Sequence, residues 1–153
     1  MFDTLIDKLT EEEILAVVAH EIGHSNLKHV WIDLIVFLVK VMLHFVVFYL
    51  LVMNNSVIYL ITDQPFIVAV ISFLILMSPV NIVLKTISNS ISRMHEYEAD
   101  LCSKDFQLGN DMINALRVVA RENLGNLTPH PLFVKVYYNH PPISLRIENI
   151  ESN

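Results

Sequence analysis

Two long apolar runs constrain this chain more than any other feature. Residues 31–53, WIDLIVFLVKVMLHFVVFYLLVM, and roughly residues 66–87 are each long enough, at about 1.5 Å per residue, to cross a hydrocarbon core of roughly 30 Å. With 54% hydrophobic residues in a chain of 153, there is more apolar surface than a soluble domain of this size can bury in one core. The runs therefore predict two transmembrane helices. The first carries Asp33, Lys40 and His44, and offsets of seven and four residues put all three on one stripe. That stripe is expected to face protein or a wet cavity, because ionisable groups turned toward lipid are costly. Pro79 in the second run predicts a kink.

The connecting segment 54–65, NNSVIYLITDQP, has no lysine or arginine, whereas Lys8, Lys28, Lys85 and Arg93 lie at the other ends of the spans. By the positive-inside rule the loop is lumenal and both ends of the chain are cytosolic. The start, MFDTLIDKLTEEE, has acids where a signal peptide needs a basic patch, so no cleaved leader is expected. A net charge of −6 without any basic run disfavours nucleic acid as a partner. The single cysteine, Cys102, excludes an internal disulfide and reads as a small packing residue. The sequons Asn54–Ser56 and Asn126–Thr128 are expected to stay unmodified, the first for its nearness to the bilayer and the second for its cytosolic side.

Ahead of the first span, Thr10 and Glu13 form a capping-box pattern, and Ile14, Leu15, Val17, Val18, Ala19 and Ile22 recur with helical spacing. A helix over about 11–29 follows. It contains AHEIGH, in which His20 and His24 stand four apart on one face and can both offer imidazole nitrogens to one tetrahedral zinc. Glu21, between them, is placed to take a proton from water activated there. The ordinary alternative is a pair of interfacial histidines beside a solvated glutamate. The helix is otherwise apolar, however, and an unpaired His, Glu, His cluster is costly to bury.

A catalytic zinc needs a third protein ligand and an open position. RMHEYEAD supplies the candidates His95, Glu96, Glu98 and Asp100. Glu96 and Asp100 are four apart on one helical face, so Glu96 is expected as the ligand and Asp100 as a carboxylate that holds a ligand histidine by its other nitrogen. Glu98 should point roughly opposite Glu96, and His95 competes for the ligand position. An antiparallel hairpin of the two spans would return this segment to the side of His20 and His24. A further helix over 111–123 should end near Gly125. In the tail, YYNHPPISLRI, His140 is fixed by Pro141 and Pro142 and could donate a hydrogen bond to an oxyanion. Arg146 could pair with a site carboxylate or a substrate terminus. The tail is proline-broken and predicted to close with a short helix.

VVAHEIGH, SRMHEYEAD and NHPPISLRI, in this order and with two apolar spans between the first two, resemble the zinc-dependent CaaX prenyl protease 1 family. The likeness extends to FDTLI, DQP, SPVNIVL and ENLG, and so covers the whole chain. The resemblance implies an all-α membrane protein, part of a larger multi-span helical chamber in the endoplasmic reticulum membrane, with one zinc ion per chain. His20, His24 and Glu96 would be the metal ligands, Glu21, His140 and Arg146 the catalytic residues, and Asp100 a residue supporting a ligand. It also implies prenylated CaaX proteins or peptides as substrates, contact with membrane lipid, and further N-terminal transmembrane helices of the same protein as partners. Residues 1–153 would form a single catalytic metallopeptidase region, with the third-ligand segment at 88–125 and the histidine–proline–proline segment at 126–153. Ser144 and Leu145 stand where the family usually has an acid before the arginine, and His95 replaces a more usual apolar residue. Two other readings compete: a quality-control membrane protease resembling HtpX, and a membrane scaffold that binds zinc without catalysis.

Overall fold

In the computed structural model residues 8–53, 64–123, 126 and 128–152 are described, and the regular structure among them is helical throughout. The helices are α1 (Glu11–Asn26), α2 (His29–Met53), α3 (Pro65–Asp105), α4 (Gly109–Asn123), α5 (Pro131–Tyr137) and α6 (Ile143–Ser152). The opening FDTLI, most of the loop with its first sequon, and the Gly125 cap lie outside the described residues.

The capping box at the start of α1 is formed as expected. Glu13 N donates to Thr10 Oγ1 at 3.2 Å, and Thr10 N donates to Glu13 Oε2 at 2.9 Å. The end differs from the expectation of helix to residue 29. α1 stops at Asn26, Leu27 N closes the last turn onto Gly23 O at 3.0 Å, and Lys28 adopts a left-handed φ of 59°. That conformation breaks the hydrogen-bond ladder, and α2 restarts when Trp31 and Ile32 donate to Lys28 O. The first span thus begins at His29, two residues earlier than its apolar run.

α2 and α3 pair as an antiparallel hairpin, and the polar stripe of α2 faces α3. Lys40 Nζ donates to Ser88 Oγ at 2.9 Å, His44 Nε2 lies 2.8 Å from Asn81 Oδ1, and Asp33 Oδ1 lies 3.5 Å from His95 Nδ1. Phe48 continues the seam against Phe73, ring centroids 5.4 Å apart. The other faces carry exposed apolar side chains such as Val30 and Phe45, at 72% and 70% exposure, as a lipid-facing surface should. α3 has 41 residues, about 61 Å at 1.5 Å per residue, roughly twice a hydrocarbon core. Its apolar half, to about residue 87, suffices for the crossing, and its polar half extends beyond it. Pro79 sits inside this helix, where it supplies no N–H to the Ile75 carbonyl and its ring crowds that carbonyl.

Beyond the spans, Ala16 of α1, Met112, Ile113 and Leu116 of α4, and Ile150 of α6 form a buried apolar cluster. α1 crosses α3 closely at Gly23. A Cβ there would lie 2.8 Å from Cys102 Cβ and 3.1 Å from Ala99 Cα, so only glycine allows this approach. Cys102 therefore takes the packing role read from the sequence.

Candidate metal centre

The Gly23 crossing sets the histidine face of α1 against the carboxylate face of α3. His20 Nε2 and His24 Nε2 lie 3.2 Å apart. Glu96 reaches both, Oε2 being 3.8 Å from His20 Nε2 and Oε1 3.6 Å from His24 Nε2. Tetrahedral zinc with bonds of about 2.0–2.1 Å requires ligand atoms roughly 3.3 Å apart. The three observed edges lie close to that value. Among the described residues, His20, His24 and Glu96 are the one group of histidines, cysteines and acids whose ligand atoms converge in this way.

The donor set also fits a cation. His20 Nδ1 is 3.0 Å from Asp100 Oδ1, with the N–H off the line of a good hydrogen bond. A proton on that nitrogen leaves the Nε2 lone pair pointing at His24, whose own Nε2 points back. If the His24 proton likewise sits on Nδ1, two lone pairs and a carboxylate surround one point with no donor among them, and a metal ion would satisfy all three. Burial, followed by the nearby His20, lowers the His24 pKa, which favours the neutral imidazole that a ligand must be.

Arg146, from the first turn of α6, holds the carboxylates. Its Nε and Nη2 donate to the two oxygens of Asp100 at 2.8 and 2.6 Å, and its Nη1 lies 3.0 Å from Glu96 Oε2. Asp100 is fully buried, so this fork supplies the compensating charge. Burial alone pulls the Arg146 pKa down, but Asp100 and Glu96 more than offset it and leave it raised. For Glu96, burial pushes upward, while the hydrogen bond with His140 and the charge of Arg146 bring its pKa down to about 2. Glu96 is thus a carboxylate, as a ligand must be. Of the two expected functions of Arg146, pairing with site carboxylates is what the geometry displays.

His140 lies 3.0 Å from Glu96 Oε1 through Nδ1, and its side chain is 61% exposed. The contact with Glu96 raises its pKa against the opposing effect of burial. Two residues of α3 one turn apart bring it there. Asn89 Nδ2 donates to Val136 O at 2.7 Å, and Arg93 Nη1 donates to Tyr138 O at 2.6 Å and Val134 O at 3.2 Å. Together they hold the carboxyl end of α5, a helix absent from the sequence expectation. Glu21 is exposed beside the His20 and His24 pair. His95 does not join the ligand set. It faces Asp33 and stacks on His29 with centroids 4.0 Å apart and planes 7° apart. Glu98 points away from Glu96 and meets His29, its Oε2 lying 3.1 Å from His29 Nε2.

Sequence reading passed over His29, which is 2% exposed and touches His24. Five residues separate the two, an offset of about 140° on a continuous helix, so only the break at Lys28 could have revealed it.

Two facing histidines on α1 and a glutamate on α3 at tetrahedral spacing, with the exposed Glu21 beside the histidines and two helices long and apolar enough to cross a membrane, are the features of a helical membrane protein with a candidate metal centre of the H-E-x-x-H type. The profile described as peptidase family M48 matches residues 1–153, and the chain belongs to that family. It is similar to a probable CAAX prenyl protease 1 from Schizosaccharomyces pombe, 31% identical over 154 residues, covering 99% of this chain and 32% of the relative. A CAAX prenyl protease 1 homolog from Oryza sativa subsp. japonica is 32% identical over 157 residues, covering 99% and 36%. The crystal structure of S. mikatae Ste24p superposes with a TM-score of 0.81 at 26% identity, covering 97% of this chain and 37% of that one. The chain spans about a third of the length of these relatives.

Proposed function

We propose that the chain carries the zinc site of a membrane metalloendopeptidase that removes the C-terminal tripeptide from prenylated CaaX proteins. The convergence of His20, His24 and Glu96 at tetrahedral spacing is the observation that carries the peptidase reading. The names of the CAAX prenyl protease relatives support the substrate class. A zinc ion held by these three residues would supply Lewis-acid polarisation of the scissile carbonyl and of water. Glu21 takes a proton from the attacking water and returns it to the leaving amine. His140, which meets Glu96 through Nδ1 and is otherwise exposed, donates a hydrogen bond from its other ring nitrogen to the developing oxyanion. Asp100 orients His20, and Arg146 holds Asp100 and Glu96 in register.

In this reading residues 1–153 form one catalytic region in the endoplasmic reticulum membrane, with both ends cytosolic and residues 54–65 lumenal. A prenyl chain partitions into lipid, so a protease acting beside it gains from a site adjoining two spans.

Incubation of a farnesylated C-a-a-X peptide in lipid with the intact protein, the chain joined to the N-terminal transmembrane helices expected as its partners, should release the tripeptide. Glu21→Gln should lower kcat by about 10²–10⁴ while zinc content stays unchanged. An intact peptide alongside cleavage of unfolded membrane proteins would move the reading to an HtpX-like protease. Equal cleavage by Glu21→Gln would remove Glu21 from the chemistry.

A further inference from the structure

A histidine that binds metal through one ring nitrogen is oriented by whatever holds the other. For His20 the partner is Asp100. For His24 it is His29, whose Nδ1 lies 3.0 Å from His24 Nδ1. His29 Nε2 in turn lies 3.1 Å from Glu98 Oε2. The protons along this line follow from the chemistry of each group. If His24 offers its Nε2 lone pair to a metal, its proton sits on Nδ1 and must be donated. His29 Nδ1 accepts it, which places the His29 proton on Nε2, where it is donated to the Glu98 carboxylate. Each contact in this arrangement has one donor and one acceptor.

The fold restrains this arrangement. His29 is almost wholly buried and lies flat on His95, so its ring is held from both edge and face. The left-handed turn at Lys28 brings His29 back over His24, which a continuous helix would prevent. Glu98 thereby has a use although it lies on the face of α3 away from Glu96.

We propose that His29 and Glu98 are positioning residues that fix the tautomer and orientation of His24 for metal binding. The proposal rests on the zinc reading above, and its test separates the two. Zinc affinity of the full chain in detergent is measured by competition with a chromogenic chelator. Wild type should bind and Glu96→Ala should not; failure of either result overturns the zinc reading itself. Given that result, His29→Leu should weaken binding about 10–100-fold, and Glu98→Ala about 10-fold. His29→Asn, whose amide oxygen can accept from His24 Nδ1, should recover most of the loss. The Glu98→Ala effect should vanish in the His29→Leu background, because Glu98 acts through His29. The Glu98 side chain is 50% exposed, so its replacement decides the matter should His29→Leu fail to fold. Affinities of His29→Leu and Glu98→Ala within about twofold of wild type, or a Glu98 effect that persists without His29, would overturn the proposal.

Discussion

Along α3, the two halves of one helix solve opposite problems. In the apolar half, side chains such as Leu74 and Ile75 face outward, and the polar atoms of Asn81 and Ser88 meet His44 and Lys40 on α2. In the polar half, Glu96 and Asp100 are buried, and Ala99 between them packs on Gly23. The difference lies in what surrounds each half. Lipid is as apolar as the helices, so burial gives little drive there and polar contacts between membrane helices contribute only about 0.6 kcal/mol each. Beyond the spans, buried charges depend on their partners, and breaking such a pair costs about 3–5 kcal/mol. Tolerance to substitution should therefore change sharply within this helix and its neighbours.

The strongest test of that contrast is Arg146→Met, which strips Asp100 and Glu96 of their shared cation. Denaturant unfolding of the chain in detergent should show a loss of about 3–5 kcal/mol. Gly23→Ala should cost less, about 1–3 kcal/mol in the same measurement, because α1 must move off the Cys102 side chain and the Ala99 backbone. It should also weaken zinc binding, since the same crossing sets the distance from His20 and His24 to Glu96. Lys40→Met in the membrane stripe should have the smallest effect, about 0.6 kcal/mol, through loss of the Ser88 contact. Should Lys40→Met destabilise as much as Arg146→Met, the hairpin would not be the lipid-solvated region described here.

Much of this arrangement was legible in the residues because it depends on spacing along one helix. The length of the apolar runs, the Thr10 and Glu13 box, the shared face of Asp33, Lys40 and His44, and the pairings of His20 with His24 and Glu96 with Asp100 all follow from helical periodicity. The end of α1 was not legible. Asn26, Leu27 and Lys28 carry no proline or glycine to mark a stop, and Lys28 takes up a left-handed conformation in which any residue but glycine is disfavoured. With that break went His29. The helix at Pro131–Tyr137 was equally hidden, since its carboxyl end is held by Asn89 and Arg93 from more than forty residues away.

The sequence by itself determined the local periodicities: two runs able to span a membrane, two imidazoles on one face and two carboxylates on another. Only the tertiary structure decided how these faces meet, through the absence of a side chain at Gly23 and the turn at Lys28. It also assigned Arg146 to Asp100 across 46 residues and His29 to Glu98 across 69. The physical reason is that periodicity fixes the direction of a side chain relative to its own helix axis, whereas a partner is fixed by the distance between axes, which depends on packing between distant segments.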